Sequence, residues 1–332
     1  MRRTAIPFVA LMIAAIAIAA CGEPDSTFLT PDANTGASPS GQILFVADNS
    51  IHVWNGRINR LTSGEDARSP SWAPAGDRFV YVRMFEGYSE LIVANRNGEP
   101  LLQVTNNNPG YEPHTEEYAL YAAWAFDPVW SPLGEQLIFA SDKGGLDLFS
   151  SPLYLWYSED WEIQPYALPA SEALGLLQES PSLSPDGAVA AFVTRETVSD
   201  TVRTTEIWTI DLDTGDAEQL IVHPDGAYSP AWSPDGHDIA YVQRDGTSND
   251  IWIRPVDGGA PYRLTDVGTC ASPVWSPDGN MIAFFQLRDA EFEAVYIELS
   301  RDADGHITAT EPSRLFSADG IDAQSGMSWI AD

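Results

Sequence analysis

One phrase recurs along this chain and limits its fold more than any other feature. Ser229-Pro230-Ala231-Trp232-Ser233-Pro234-Asp235-Gly236 is followed 43 residues later by Ser272-Pro273-Val274-Trp275-Ser276-Pro277-Asp278-Gly279. The second half of the phrase reads as a turn. Proline sets φ for the second turn position, Asp is tolerated at the third, and Gly accepts positive φ at the end. The residues after it, Ile239-Ala240-Tyr241-Val242, are apolar at every position. A strand with one wet face would alternate, so this one is expected to be buried on both faces.

The phrase occurs further. Ser69-Pro70-Ser71-Trp72-Ala73-Pro74-Ala75-Gly76 is one copy, and Pro128-Val129-Trp130-Ser131-Pro132-Leu133-Gly134 is another. Ser180-Pro181-Ser182-Leu183-Ser184-Pro185-Asp186-Gly187 puts Leu where the others have Trp, and a stub, Gly326-Met327-Ser328-Trp329, ends the chain. The markers at 72, 130, 183, 232, 275 and 329 lie 43 to 58 residues apart. A period of that size with short strands marks a propeller or solenoid.

Each unit continues alike. A second apolar strand follows (Leu91-Ile92-Val93, Ile207-Trp208-Thr209-Ile210, Ile251-Trp252-Ile253, Val295-Tyr296-Ile297), then a Gly turn, then a short strand such as Arg263-Leu264-Thr265. That makes four antiparallel strands, A to D, per unit. The expected fold is all-β: a six-bladed β-propeller of four-stranded antiparallel blades. The N-terminal Ile43–Val46, Ile51–Trp54 and Arg60-Leu61-Thr62 form a blade without strand A, and Met327-Ser328-Trp329 form a strand A without the rest. Joined, they close the ring as a composite blade. Closure removes free sheet edges, and a monomer is expected.

The SPxWSPDGxxIAF phrase resembles the repeat of the TolB-like β-propeller family, over about residues 41–332. The resemblance implies a propeller domain. The family's namesake carries a further α/β domain ahead of its propeller. Here about twenty polar residues stand in that place, so the namesake's partners are not carried over.

The N-terminus reads as an export signal over residues 1–20. Arg2-Arg3 precede a small-residue apolar run that ends in Ile18-Ala19-Ala20-Cys21. This resembles the bacterial lipoprotein box, with cleavage before Cys21 and lipid on its thiol. Residues 21–40, polar and Pro-rich, are expected to be a disordered tether, and 41–332 the propeller. The expected location is outside the cytoplasm, anchored by that lipid to the outer face of the cell membrane or to the outer membrane. With Cys21 lipidated, Cys270 has no partner within the chain and reads as a buried bystander.

The formal net charge is −31, with 17 basic residues, of which Lys143 is the single lysine. Such a surface repels phosphate backbones and anionic lipid, so nucleic-acid binding is not expected. No GxSxG frame, P-loop, HExxH or CxxC occurs. The five histidines fall in different units. These readings point to a protein-interaction module and not to an enzyme. Two other readings are carried. One is a carbohydrate or small-ligand module. The other is a metal-dependent enzyme with ligands scattered around the channel. Within Ser300–Glu311, Asp302, Asp304 and Glu311 stand where a calcium loop would put ligands, with Gly305 at its turn. The competing reading is a hairpin with ordinary turn residues.

In such blades the A–B and C–D hairpins leave one end and the B–C and D–A connections leave the other. The second end holds the expected insertions: 106–126, 141–152, 167–179 (with a helical turn around 171–177) and 194–205. Long loops on a rigid scaffold are where function concentrates. The first insertion is rich in rings and acids. Tyr111, His114, Glu116, Glu117, Tyr118 and Tyr121 are the candidate partner-binding residues, since exposed Tyr anchors protein or sugar contacts well. Trp124 and Phe126 are expected to cap the blades' own core.

Overall fold

Why every position of the central strands is apolar becomes plain from their packing. The computed structural model describes residues 39–143, 151–157, 166–174, 177–199, 202–302 and 305–332. Six antiparallel sheets surround a central channel whose wall carries residues from every strand A. Six buried apolar clusters lie one at each junction between neighbouring blades. In Ile43–Val46, Leu44 and Val46 face the second blade while Ile43 and Phe45 face the sixth, and all four are fully buried. Tyr241 packs toward the fourth blade and its neighbour Ala240 toward the sixth. Both faces of a pleated strand are thus dry. Each large apolar side chain so buried contributes about 1.5–3 kcal/mol. Of the repeat tryptophans, Trp72, Trp130 and Trp275 are buried in these seams and Trp329 packs against one, whereas Trp232 is half-buried and lines the channel.

The first blade is the composite one. Its strand A is Ser328–Ile330, paired antiparallel to Gln42–Ala47 with Ile43 opposite Trp329; Ser50–Trp54 and Ile58–Arg60 complete it. The second blade runs Asp66–Trp72, Arg78–Phe85, Tyr88–Asn95 and Pro100–Gln103. The third runs Ala125–Trp130, Gln136–Ser141, Leu153–Tyr157 and Tyr166–Ala167. The fourth, Leu177–Leu183, Val189–Ser199, Val202–Asp211 and Ala217–Ile221, has the longest B–C pair. The fifth runs Ala227–Trp232, Asp238–Asp245, Ser248–Pro255 and Tyr262–Arg263. The sixth runs Cys270–Trp275, Met281–Arg288, Glu291–Arg301 and Ser313–Ser317.

The turn phrase does two things at one end of the ring. In Ser233-Pro234-Asp235-Gly236 the Ser233 hydroxyl donates to Asp235 at 2.6 Å and accepts the Asp238 N–H at 3.0 Å. Ser184 with Asp186, and Ser276 with Asp278, repeat the arrangement. The turn glycine has φ of +76° at Gly236, and a Cβ there would lie 3.1 Å from Pro185 of the preceding blade's turn. Gly134, Gly187 and Gly279 stand in the same way against Pro74, Pro132 and Pro234. The phrase is therefore repeated because each copy packs on the one before it.

Two segments differ from the sequence reading, and a third follows its hairpin reading. Residues 194–199 and 202–205, read as loop, are paired strand. Strands B and C of the fourth blade continue as a ribbon, with Arg195 opposite Thr205 and Ser199 opposite Val202. The stretch is rich in Thr and Val, residues that favour strand pairing. The helical turn expected near 171–177 sits earlier, at Pro169–Leu174, since proline is well placed in a first helical turn. The Ser300 region is a long hairpin, in which Ile307–Ala309 pairs back on Leu299–Arg301. Cys21, the signal and most of the tether lie outside the described residues, as do Asp304 and most of the 141–152 insertion.

Candidate binding face

The channel wall is built from a strained backbone position repeated blade after blade. Ser69, Asp127, Ser180, Ser229 and Ser272 each precede a proline in strand A, and each has φ between +45° and +53°. At every one the register of strands A and B shifts by a bulge. The proline disfavours the right-handed helical region for the residue before it, and a short polar side chain tolerates the left-handed one better than a bulky one. The bulge also absorbs the amide that proline lacks. In the composite blade Gly326, φ +69°, takes the equivalent place. The sequence signal was present, a Ser or Asp before Pro three residues ahead of the marker, but the turn half of the phrase drew attention from it.

Within this ring Asp127 is the one carboxylate. It accepts the Ser69 hydroxyl at 2.9 Å and the Ser180 amide at 2.9 Å, and so ties three consecutive blades together. The channel beside it encloses about 450 Å³ and widens at the insertion end into a mouth of about 1030 Å³. Three arginines from three blades line that mouth. Arg68 is held by Asp322 at 2.8 Å and Asp66 at 3.1 Å, Arg195 pairs with Glu179, and Arg244 donates through Nε to Gly246 O at 3.2 Å. Phe126 lines the same mouth, and half-buried Trp124 stacks near-parallel on it at 6.1 Å. Phe126 packs against the seam between the third and fourth blades, in keeping with the expected capping role.

The first insertion folds into a short helix, Glu116–Tyr121, which the sequence reading did not foresee. Thr115 caps it by accepting the Tyr118 N–H at 3.1 Å, and two glutamates follow the cap. Thr-Glu-Glu ahead of Tyr-Ala-Leu-Tyr was the available signal. Tyr118 pins the helix down. Its hydroxyl donates to Glu86 O, and its ring lies so close to Gly87 that a Cβ there would come within 2.7 Å of it. His114 Nε2 lies 3.4 Å from a Glu86 carboxylate oxygen. Asn108 donates to the Tyr88 hydroxyl at 3.1 Å, and Tyr88 stacks on Phe85 at 4.7 Å. The candidate residues therefore divide. His114 and Tyr118 fasten the insertion to the hairpin at Phe85–Tyr88. Tyr111 and Tyr121 stack on one another at 5.5 Å and stay 49% and 58% exposed, with Leu120 64% exposed beside them. Glu116 and Glu117 face solvent.

At the calcium-type hairpin, the Asp302 carboxylate accepts the His306 N–H at 2.9 Å and the backbone closes with Gly305 N–H to Asp302 O at 3.1 Å. Glu311 is exposed beyond the return strand. Arg301 in the same hairpin reaches the fifth blade, meeting Asp238 at 2.8 Å and Asp235 at 3.2 Å. Among the described residues no three His, Cys, Asp or Glu side chains gather as a metal set. Cys270 is buried, and burial pushes its thiol up to about 12, partly offset by the Thr265 hydroxyl at 3.4 Å. Such a thiol stays protonated near neutrality and is a poor nucleophile.

Comparison with known proteins places this architecture. Residues 170–321 match the family model described as the TolB beta propeller domain. TolB from Acinetobacter baumannii superposes with a TM-score of 0.63 at 18% identity, over 88% of this chain and 67% of that one. A chain of the nidogen/laminin complex superposes with a TM-score of 0.55 at 11% identity, over 87% of this chain and 98% of that one. In sequence, 89 residues are 33% identical to a Bacillus subtilis protein named uncharacterized peptidase YuxL, covering 26% of this chain and 14% of that protein. With its repeat, its six blades and its composite closure, the chain has the fold of a six-bladed β-propeller, and its residues 170–321 match the TolB beta propeller domain.

Proposed function

We propose that this chain is an exported, lipid-anchored propeller that docks a partner protein on its insertion end. The observation that carries the reading is the contrast between the two ends. The turn end is a succession of packed proline–glycine turns. The insertion end has a wide mouth and a rim where Leu120 and Tyr121, on a braced helix, and Tyr111, in the loop before it, are exposed. Pre-organised rings on a rigid scaffold are what a protein contact uses. The fold is shared by a chain in the nidogen/laminin complex, an assembly of proteins. The chain joins the propeller at Ser40, whose carbonyl accepts the Trp329 indole N–H at 2.8 Å, beside Ile330 and the turn at Gly76. The chain thus enters the propeller at the turn end, opposite the insertion rim. The lipoprotein box itself is argued from Ile18-Ala19-Ala20-Cys21 alone.

The test is cross-linking in native membranes followed by pull-down. The wild type is compared with a variant whose residues 109–121 are replaced by a short Gly-Ser loop. That cut spares Asn107 and Asn108, whose amides bind Glu90 at 2.9 and 3.1 Å, so the blade keeps its buried carboxylate satisfied. A protein captured by the wild type and lost from the variant is the expected result. An identical capture profile from both chains would move the contact elsewhere.

A further inference from the structure

We infer that the Tyr111–Tyr121 platform receives a cationic segment of a protein, one that lays an arginine or lysine over a tyrosine face with an apolar side chain against Leu120. This rests on the reading that the insertion end docks a protein, and it names the chemistry of what docks there.

The platform has two properties that together fit a cationic segment. It is apolar and uncovered, since two stacked tyrosines and a leucine are each about half or more exposed at the tip of one insertion. It is also ringed by carboxylates. Glu117 precedes Tyr121 by one helical turn and so lies on the same face. Glu112 adjoins Tyr111, and Glu116 and Glu86 stand exposed nearby. The local cations are occupied otherwise. His114 faces Glu86, Arg83 lies 3.5 Å from Glu65 and 5.1 Å over the Phe85 ring, and Lys143 Nζ donates to Asn106 O at 3.0 Å. Among the described residues no Arg, Lys or His comes within salt-bridge distance of Glu112, Glu116 or Glu117. The helix start accounts for Glu116 and Glu117, which suit its N-terminal dipole. It accounts neither for Glu112 nor for uncovered rings. A tyrosine face attracts a guanidinium or ammonium through its quadrupole, and adjacent carboxylates add Coulomb attraction. An acidic partner would meet both these carboxylates and a chain of net charge −31.

The platform is also rigid enough to select. The cap at Thr115, the Tyr118–Glu86 contact and the Asn108–Tyr88 bond fix the helix before any partner arrives. Less ordering entropy is then lost on docking.

The test uses the full chain and a fluorescein-labelled peptide of alternating Arg and Leu with Gly spacers, read by anisotropy at about 0.05 and 0.5 M NaCl. Three variants are compared: Tyr111→Ser/Tyr121→Ser, Glu112→Gln/Glu116→Gln/Glu117→Gln, and Asp213→Gln/Asp216→Gln as a charge control at the turn end. Each substitution lies on an exposed position, and melting curves matching the wild type verify the fold. The expected result is a loss of about tenfold in peptide affinity for each of the first two variants, a size cation–π and carboxylate contacts account for. The control should stay near the wild type. An equal loss in the control would reduce the effect to overall charge and overturn the inference. So would absence of peptide binding at low salt, or binding of a neutral glucan oligosaccharide at this platform in its place. If the loop replacement abolishes partner capture while the peptide ignores the platform, protein docking stands and the cationic assignment falls.

Discussion

Thr265 uses one hydroxyl twice. It accepts the Ile251 N–H at 2.9 Å, which starts the buried run of strand C, and it donates to Asp250 at 3.1 Å. Asp250, itself buried, also accepts the amides of Val267 and Gly268 at 2.8 and 3.1 Å and pairs with Arg263 at 2.6 Å. A second blade repeats the device in full and a third repeats its accepting half. Thr105 accepts the Leu91 N–H and donates to Glu90, and Thr62 accepts the Ile51 N–H, both amides at 2.9 Å. The residue two places before each threonine curls over to its carbonyl, through Arg60, Gln103 and Arg263. The sequence displays this as a short Arg/Gln-x-Thr ending to strand D, but nothing in one dimension says that its threonine closes the neighbouring strand. Replacing Thr265 by Val keeps the shape and strands a buried amide. A loss of about 1–3 kcal/mol in urea unfolding is expected. Thr308→Val, on the exposed return strand of the sixth blade, should stay within about 0.5 kcal/mol of wild type.

At the scale of the element, the turn phrase predicts its own pH response. The Ser184 hydroxyl and the Ala188 amide hold the Asp186 carboxyl below the usual range, and the Ser276 hydroxyl does the same for Asp278. A depressed folded pKa contributes stability above the ordinary carboxylate value of about 3.9, and that contribution is lost as pH falls through the folded values. The urea midpoint of the wild type should therefore drop more steeply below about pH 4 than that of an Asp186→Asn/Asp278→Asn variant. Parallel curves for the two proteins would show that the turns do not carry the acid response. Strands and turns were readable because their signals are local: Pro, Asp and Gly in fixed order, then an unbroken apolar run. The helix Glu116–Tyr121 was missed because one and a half turns hold too few residues for a period to show, and only its cap betrayed it. The ribbon at 194–205 was missed because a threonine-rich polar stretch has no dry face to alternate about.

At the scale of the whole molecule, closure depends on three residues. Ser328–Ile330 completes the first blade; Met327 and Trp329 pack into the seam with the sixth blade, and Ile330 into the seam with the second. The Ser328 hydroxyl also accepts the Trp72 amide at 2.9 Å. Ending the chain after Gly326 should cost roughly 3 kcal/mol from the half-buried Met, Trp and Ile side chains alone. It would also expose a free strand edge on Gln42–Ala47. The checks are a lower melting temperature and concentration-dependent association by light scattering. An unchanged melting temperature would mean that the ring does not rely on the composite blade.

The sequence by itself determined the fold class, the number of blades, the closure, the seam tryptophans and the division of connections between two ends. Each of these follows from a repeat whose members must bury two faces, and repetition is visible in one dimension. Only the tertiary structure decided what each copy touches: the turn glycine on the preceding proline, the left-handed Ser and Asp positions around the channel, and Asp127 spanning three blades. It also decided which candidate rings pack on the fold and which stay exposed. Tyr118 lies on Gly87, whereas Tyr111 and Tyr121 stack on each other and stay about half exposed. Those outcomes depend on distances between residues far apart in the chain, and composition or spacing carries no record of them.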